Sequence, residues 1–126
     1  MLLDDIASIL STGGMGTVYK DYSPPTPDTV TAVYAQIGNA PTYTMRNPHV
    51  LEEPRVQVVC RSVSLETAHD NARSAYELLS GVRNRTINSV LYHWIAAENE
   101  PVLIGRDQNA RFTVACNFDI KKDRST

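Results

Sequence analysis

Apolar positions along the chain switch between two periods, and the switches outline its elements. Leu2, Leu3, Ile6, Ile9 and Leu10 recur at helical spacing, which predicts a short helix over residues 1–12. Asp4 and Asp5 occupy its first turn, where the helix dipole favours negative charge, and Gly13-Gly14 stops it. Residues 17–20 fit a short strand. Ser23-Pro24-Pro25-Thr26-Pro27-Asp28 suits neither a central strand nor a helix, because each proline lacks a backbone donor; it reads as an extended loop. β-Branched and aromatic residues predict a strand over Thr29–Ile37, closed by Gly38-Asn39. Residues 39–53 carry Pro41, Arg46, Pro48, His49, Glu52 and Glu53 and read as a long loop with a functional role. Pro54 opens a strand over Arg55–Arg61, with Val56, Val58 and Cys60 on one face.

The clearest helix covers residues 64–80. Leu65, Ala68, Ala72, Ala75, Tyr76 and Leu79 form one apolar stripe. The Ser64 hydroxyl suits its N-cap, and Gly81 its end, where a positive φ is wanted. Three strands follow. Thr86–Ala97 is long and apolar on both faces, with Ile87, Leu91 and Ile95 on one and Val90, Tyr92 and Trp94 on the other. Val102–Gly105 is short. After a turn at Asp107–Ala110, Phe112, Val114, Cys116, Phe118 and Ile120 alternate with more polar residues, and Lys121–Thr126 reads as a charged mobile tail. The order α-β-β-β-α-β-β-β predicts a single α+β domain over residues 1–126: one mainly antiparallel β-sheet with two α-helices packed on one face. A strand apolar on both faces needs cover from both sides. The helices supply one side; the long loop or a second subunit must supply the other.

Charge and composition narrow the function. Twelve basic and fourteen acidic residues leave a net charge of −2, which argues against a nucleic-acid reader held by a basic surface. No apolar run approaches the roughly 18 residues of a membrane span, and the acidic start is unlike a signal peptide, so a cytoplasmic setting is expected. Cys60 and Cys116 lie mid-strand with no second ligand at metal spacing, and are expected to be reduced, buried thiols. Nine arginines against three lysines, and six tyrosines against two phenylalanines, match the residue preferences of protein–protein interfaces.

Gly13-Gly14-Met15-Gly16-Thr17-Val18-Tyr19-Lys20 resembles the phosphate loop of bacterial Ser/Thr protein kinases. A kinase loop joins two strands, whereas a helix precedes these glycines, and neither a His-Arg-Asp nor an Asp-Phe-Gly motif follows. The segment reads instead as a helix stop leading into a strand. His49, His69 and His93 are scattered, and Glu66 and Asp70 fit a solvated helix face. No catalytic, cofactor-binding or metal-binding set is assembled by the sequence.

Three ordered stretches resemble a known family. They are Tyr34-Ala35-Gln36-Ile37-Gly38-Asn39-Ala40-Pro41; Glu53-Pro54-Arg55-Val56-Gln57-Val58-Val59-Cys60-Arg61 with the Ala68, Ala72, Ala75, Tyr76, Leu79 helix; and Leu103-Ile104-Gly105-Arg106-Asp107-Gln108-Asn109-Ala110-Arg111-Phe112 running into Phe118. Across residues 28–120 the chain is similar to the tail-terminator and minor-capsid proteins of long-tailed bacteriophages and prophages. Ala110 departs from the Gly expected in that turn. The resemblance implies a virion structural protein without enzymatic chemistry or cofactor, assembled in the bacterial cytoplasm. It implies a ring, typically of six copies, at the head-proximal end of the tail tube. The ring stops tube growth, meets the tube protein and a connector or stopper, and passes viral DNA without sequence-specific binding or membrane contact. The alternatives are another neck, stopper or head-completion protein, a nucleotide-binding module through Gly13–Lys20, and a ligand-binding α+β domain. Arg46, Glu52, Glu53, Arg61 and Arg106 flank the loop and strand ends that the pattern retains, and Tyr92 and Trp94 lie on the uncovered face. These are the expected subunit or partner contacts.

Overall fold

The computed structural model describes residues 2–25, 27–43, 50–106 and 110–123, with backbone alone at 37–43, 50 and 51. Helix α1 spans Leu2–Leu10 and helix α2 Leu65–Ser80. The strands are β1 Val18–Lys20, β2 Val30–Tyr43, β3 Val50–Ser62, β4 Arg83–Ile87, β5 Val90–Ala97, β6 Val102–Arg106 and β7 Phe112–Asp123. They form one seven-stranded sheet in the order β1-β2-β3-β7-β5-β4, with β6 paired to β7 as well. Only β1 and β2 are parallel. β7 is the organising strand. Phe118–Lys122 pairs with β5, while Phe112–Ala115 pairs with β6, so two successive short strands share one side of it. This is the expected α+β architecture, with one strand more than the sequence showed.

Both helices cover the face that carries Val33, Val56, Val58, Cys60, Val114, Cys116, Phe118 and Ile120, all fully or almost fully buried. The alternation of β3 and β7 produces this face directly. On α2 the inward positions are Ala68, Ala72, Ala75 and Leu79, and the small alanines let the helix lie close to the sheet. Leu65, expected in that stripe, remains 40% exposed. Ser64 caps α2 as expected, its hydroxyl accepting from the Thr67 N–H at 3.3 Å. Gly81 departs from expectation: its φ is −87°, because the helix runs straight on through Val82 into β4 without a left-handed reversal.

After α1 the backbone makes one wide turn over Ser11–Met15, with Gly14 at φ 97°. Gly13 packs against α2: a Cβ there would stand 2.6 Å from the Leu78 methyl carbons. The glycine string is thus explained by helix packing and by a backbone reversal.

Four expectations are corrected. The segment 39–53 is largely strand, since β2 continues to Tyr43 and β3 begins at Val50. β1 pairs with β2 only as far as Val33, so beyond that point β2 is an edge, and Pro41 lies in a register shift of its ladder with β3 between Asn39 and Thr42, where proline is tolerated. Thr86–Ala97 is two strands, β4 and β5, joined at Asn88-Ser89, whose φ values of 49° and 68° make the tight turn a hairpin requires. Lys121–Asp123 belongs to β7 and pairs with β5 and β3. Finally, part of the second sheet face is closed by the proline segment, which was not expected to do so. Pro24 is buried, Arg61 donates to the carbonyls of Pro24 (2.6 Å), Pro27 (2.8 Å) and Asp28 (3.3 Å), and Arg111 donates to the Pro25 carbonyl at 2.6 Å.

Candidate assembly interface

The expected contact residues separate into two groups at opposite ends of the sheet. At one end, Glu52 on β3 and Tyr92 on β5 flank Lys122 of β7. Lys122 is nearly buried and donates to the Glu52 carboxylate at 2.7 Å. Trp94, half-buried, lies opposite Arg83 of β4 and Lys121 of β7. Glu53 is half-buried on β3 opposite Asn39. Arg46 lies outside the described residues. At the other end, Arg61 holds the proline segment, and exposed Arg106 places its guanidinium 5.3 Å from the Phe112 ring centroid.

Tyr92 is not on a leftover surface. It has no exposed area and lies in the core beneath α1. The ladder with β7 slips between Tyr92 and Trp94, so Tyr92 and Ile95 both point inward. Its hydroxyl donates to Asp5 Oδ2 at 2.6 Å, and Asn88 Nδ2 donates to Asp5 Oδ1 at 2.6 Å. Asp5 is itself 1% exposed. One buried carboxylate thereby ties α1 to the β4–β5 turn. Burial, and then the bond to Asp5, push the Tyr92 hydroxyl far above its ordinary pKa.

The sequence reading passed over the most open apolar feature. All five residues of β6 are exposed, with Val102 at 49%, Leu103 at 46% and Ile104 at 58%. β6 pairs with β7 on one side. Its other edge presents unpaired backbone groups beside three consecutive large apolar side chains, a combination that invites strand addition. Of the sheet's other edges, β4 carries Arg83 and Arg85 and a left-handed Asn84 at φ 48°, β1 has only three residues, and β2 beyond Val33 pairs with β3 alone. The run Val102-Leu103-Ile104 was visible in the sequence, but its edge position depends on which half of β7 it joins.

The glycine segment lines a cavity of about 400 Å³ together with Thr17, Thr29, Thr31, Asn71 and Ser74. No basic side chain lines it among the described residues, so it lacks the cation a phosphate site uses. Lys20 lies apart and pairs with Asp4 at 2.6 Å, which holds the Asp4 carboxyl below its usual range. Cys60 and Cys116 are free and fully buried, and burial pushes both thiols up to about 11. Arg55 is braced between Asp119, at 2.9 Å, and Glu98 on the face away from the helices. Among the described residues no three His, Cys, Asp or Glu side chains gather as a metal site.

A small α+β domain whose most open apolar feature is an unpaired sheet edge is built to assemble with other chains. The chain belongs to the bacteriophage tail terminator family: the model of that family matches residues 4–124. It is therefore a structural protein of phage-like tails. The fold is similar to that of a chain in the virion of a native gene transfer agent (GTA) particle, with a TM-score of 0.65, 14% identity, and coverage of 98% of this chain and 95% of that one. A comparison with curated proteins finds no match.

Proposed function

We propose that copies of this chain close a ring on the head-proximal end of a phage tail tube, ending its growth and joining the tail to the head connector. The observation that carries this reading is the exposed apolar edge at β6 in a chain of the tail terminator family. An open apolar edge of this kind is a template for pairing with a strand of another chain. A ring uses two different patches on each copy, and closes without a free edge. The net charge of −2 suits a passage that lets viral DNA slide through without gripping its phosphates. Arg46, Glu52, Glu53 and Arg106 are the polar contacts of this reading, with the tube protein and the connector or stopper as partners.

Particles lacking this protein are expected to carry tails of uncontrolled length, or tails that do not join heads. Head-attached tails of normal length in its absence refute the reading. Length-controlled tails that fail only to join heads favour a stopper or head-completion role instead. Charge reversal at Arg46 or Glu53 is expected to impair assembly while the chain stays folded.

A further inference from the structure

We propose that β6 of one copy pairs antiparallel with β1 of the next, so that the sheet continues from subunit to subunit around the ring; this rests on the ring reading above. The rows of the sheet carry the argument. Val18 faces Thr31, Thr31 faces Cys60, Cys60 faces Val114, and Val114 faces Leu103. The next row runs Tyr19, Ala32, Val59, Ala115, Val102. β1 and β6 therefore stand at the same level on opposite margins of the sheet. β1 runs with β2, β2 against β3, β3 against β7 and β7 against β6, so β1 and β6 run in opposite directions. Two copies standing side by side in the same orientation present antiparallel edges to each other. Joining them adds a copy with no advance along the strands, which is the condition for a closed ring rather than a helical filament.

The chemistry of the two margins agrees. Leu103 and Val18 share the helix-covered face, and Val102 and Tyr19 share the other, so apolar meets apolar on both. By the same register Lys20, whose side chain is 46% exposed, falls opposite Pro101, and Glu100 falls opposite Asp21 just past the end of β1, so the pairing rests on its apolar rows and not on charge. An open groove of about 540 Å³ runs between α1 and β1, lined by Ser8, Thr12, Thr17 and Val18 among others, and leaves room for the incoming side chains. β4 does not compete for this place. Its Arg83 lies in the row of Trp94 and Lys121, away from the level of β1, and its arginines would confront Lys20.

The test is disulfide trapping in the full chain, where Cys60 and Cys116 are buried and do not interfere. Chains carrying Val102→Cys are mixed with chains carrying Tyr19→Cys under mild oxidation, with both variants first shown to unfold like wild type. The Leu103→Cys and Val18→Cys pair repeats the measurement one row away. The 102–19 link is expected to exceed the 102–102 and 19–19 links at least tenfold. A 102–102 product in the majority, an even distribution, or no link at all overturns the pairing. Wild-type rings seen by native mass without the 102–19 link overturn the pairing alone and leave the ring standing. Wild-type chains that form no ring on isolated tube ends overturn the ring reading and the pairing with it.

Discussion

Replacing Asp5 by alanine should cost this domain a large part of its stability. The carboxylate is 1% exposed and accepts two bonds of 2.6 Å, from Tyr92 and from Asn88. A hydrogen bond to a charged group contributes about 1.5–3 kcal/mol. Losing both therefore costs about 3–6 kcal/mol, and truncation also strands the buried Tyr92 hydroxyl. Against a total of about 5–15 kcal/mol for a domain, that is enough to loosen α1 from the sheet. Tyr92→Phe removes one bond and should cost about half as much. The assay is urea unfolding of both single variants and the double variant. Once Asp5 is gone, the Tyr92 hydroxyl has lost its partner, so the double variant should be more stable than the sum of single effects by about 1 kcal/mol or more. A loss below about 1 kcal/mol for Asp5→Ala, or strict additivity in the double variant, refutes the reasoning.

Ala110 sits at φ 60°, in the left-handed region, as the departure from Gly in that turn anticipates. Ala110→Gly should stabilise the fold by about 0.5–1 kcal/mol, read as a rise of a few degrees in Tm; a lower Tm would count against it. Unfolded thiols release their protons near 9.0, while folded Cys60 and Cys116 hold theirs to about 11. The folded state therefore binds more protons in that window, and stability should fall as pH rises from 9 to 11, by up to about 1.4 kcal/mol per pH unit for each thiol. Thiol labelling at neutral pH should be slow in the native protein and fast in denaturant, and rapid native labelling would contradict the burial of both. Ile104→Lys should change monomer stability by less than about 0.5 kcal/mol and block assembly, and assembly at wild-type strength would remove β6 from the interface. Titration with Mg-ATP should give no heat, and micromolar binding lost on Lys20→Ala would reverse the reading of the glycine segment.

The sequence by itself determined what depends on neighbours a few residues away. Helical spacing marked α1 and α2, strict alternation marked β3 and β7 and their buried face, and the Ser64 cap and the α+β class followed. Placing both cysteines inside needed only their positions in those alternations. The tertiary structure decided what depends on distant partners. Tyr92 moved to the core because a slip in its ladder with β7 changes which way a side chain points, and no local period records that slip. Arg61 became a clamp on the proline segment because the parallel β1–β2 connection carries that segment across the sheet. The segment 39–53 read as loop from its prolines and charges, yet pairing across the β2–β3 hairpin draws most of it into strands. Val102-Leu103-Ile104 looks in the sequence like any buried strand; it is an edge only because β5 takes the other half of β7 and leaves β6 with one neighbour.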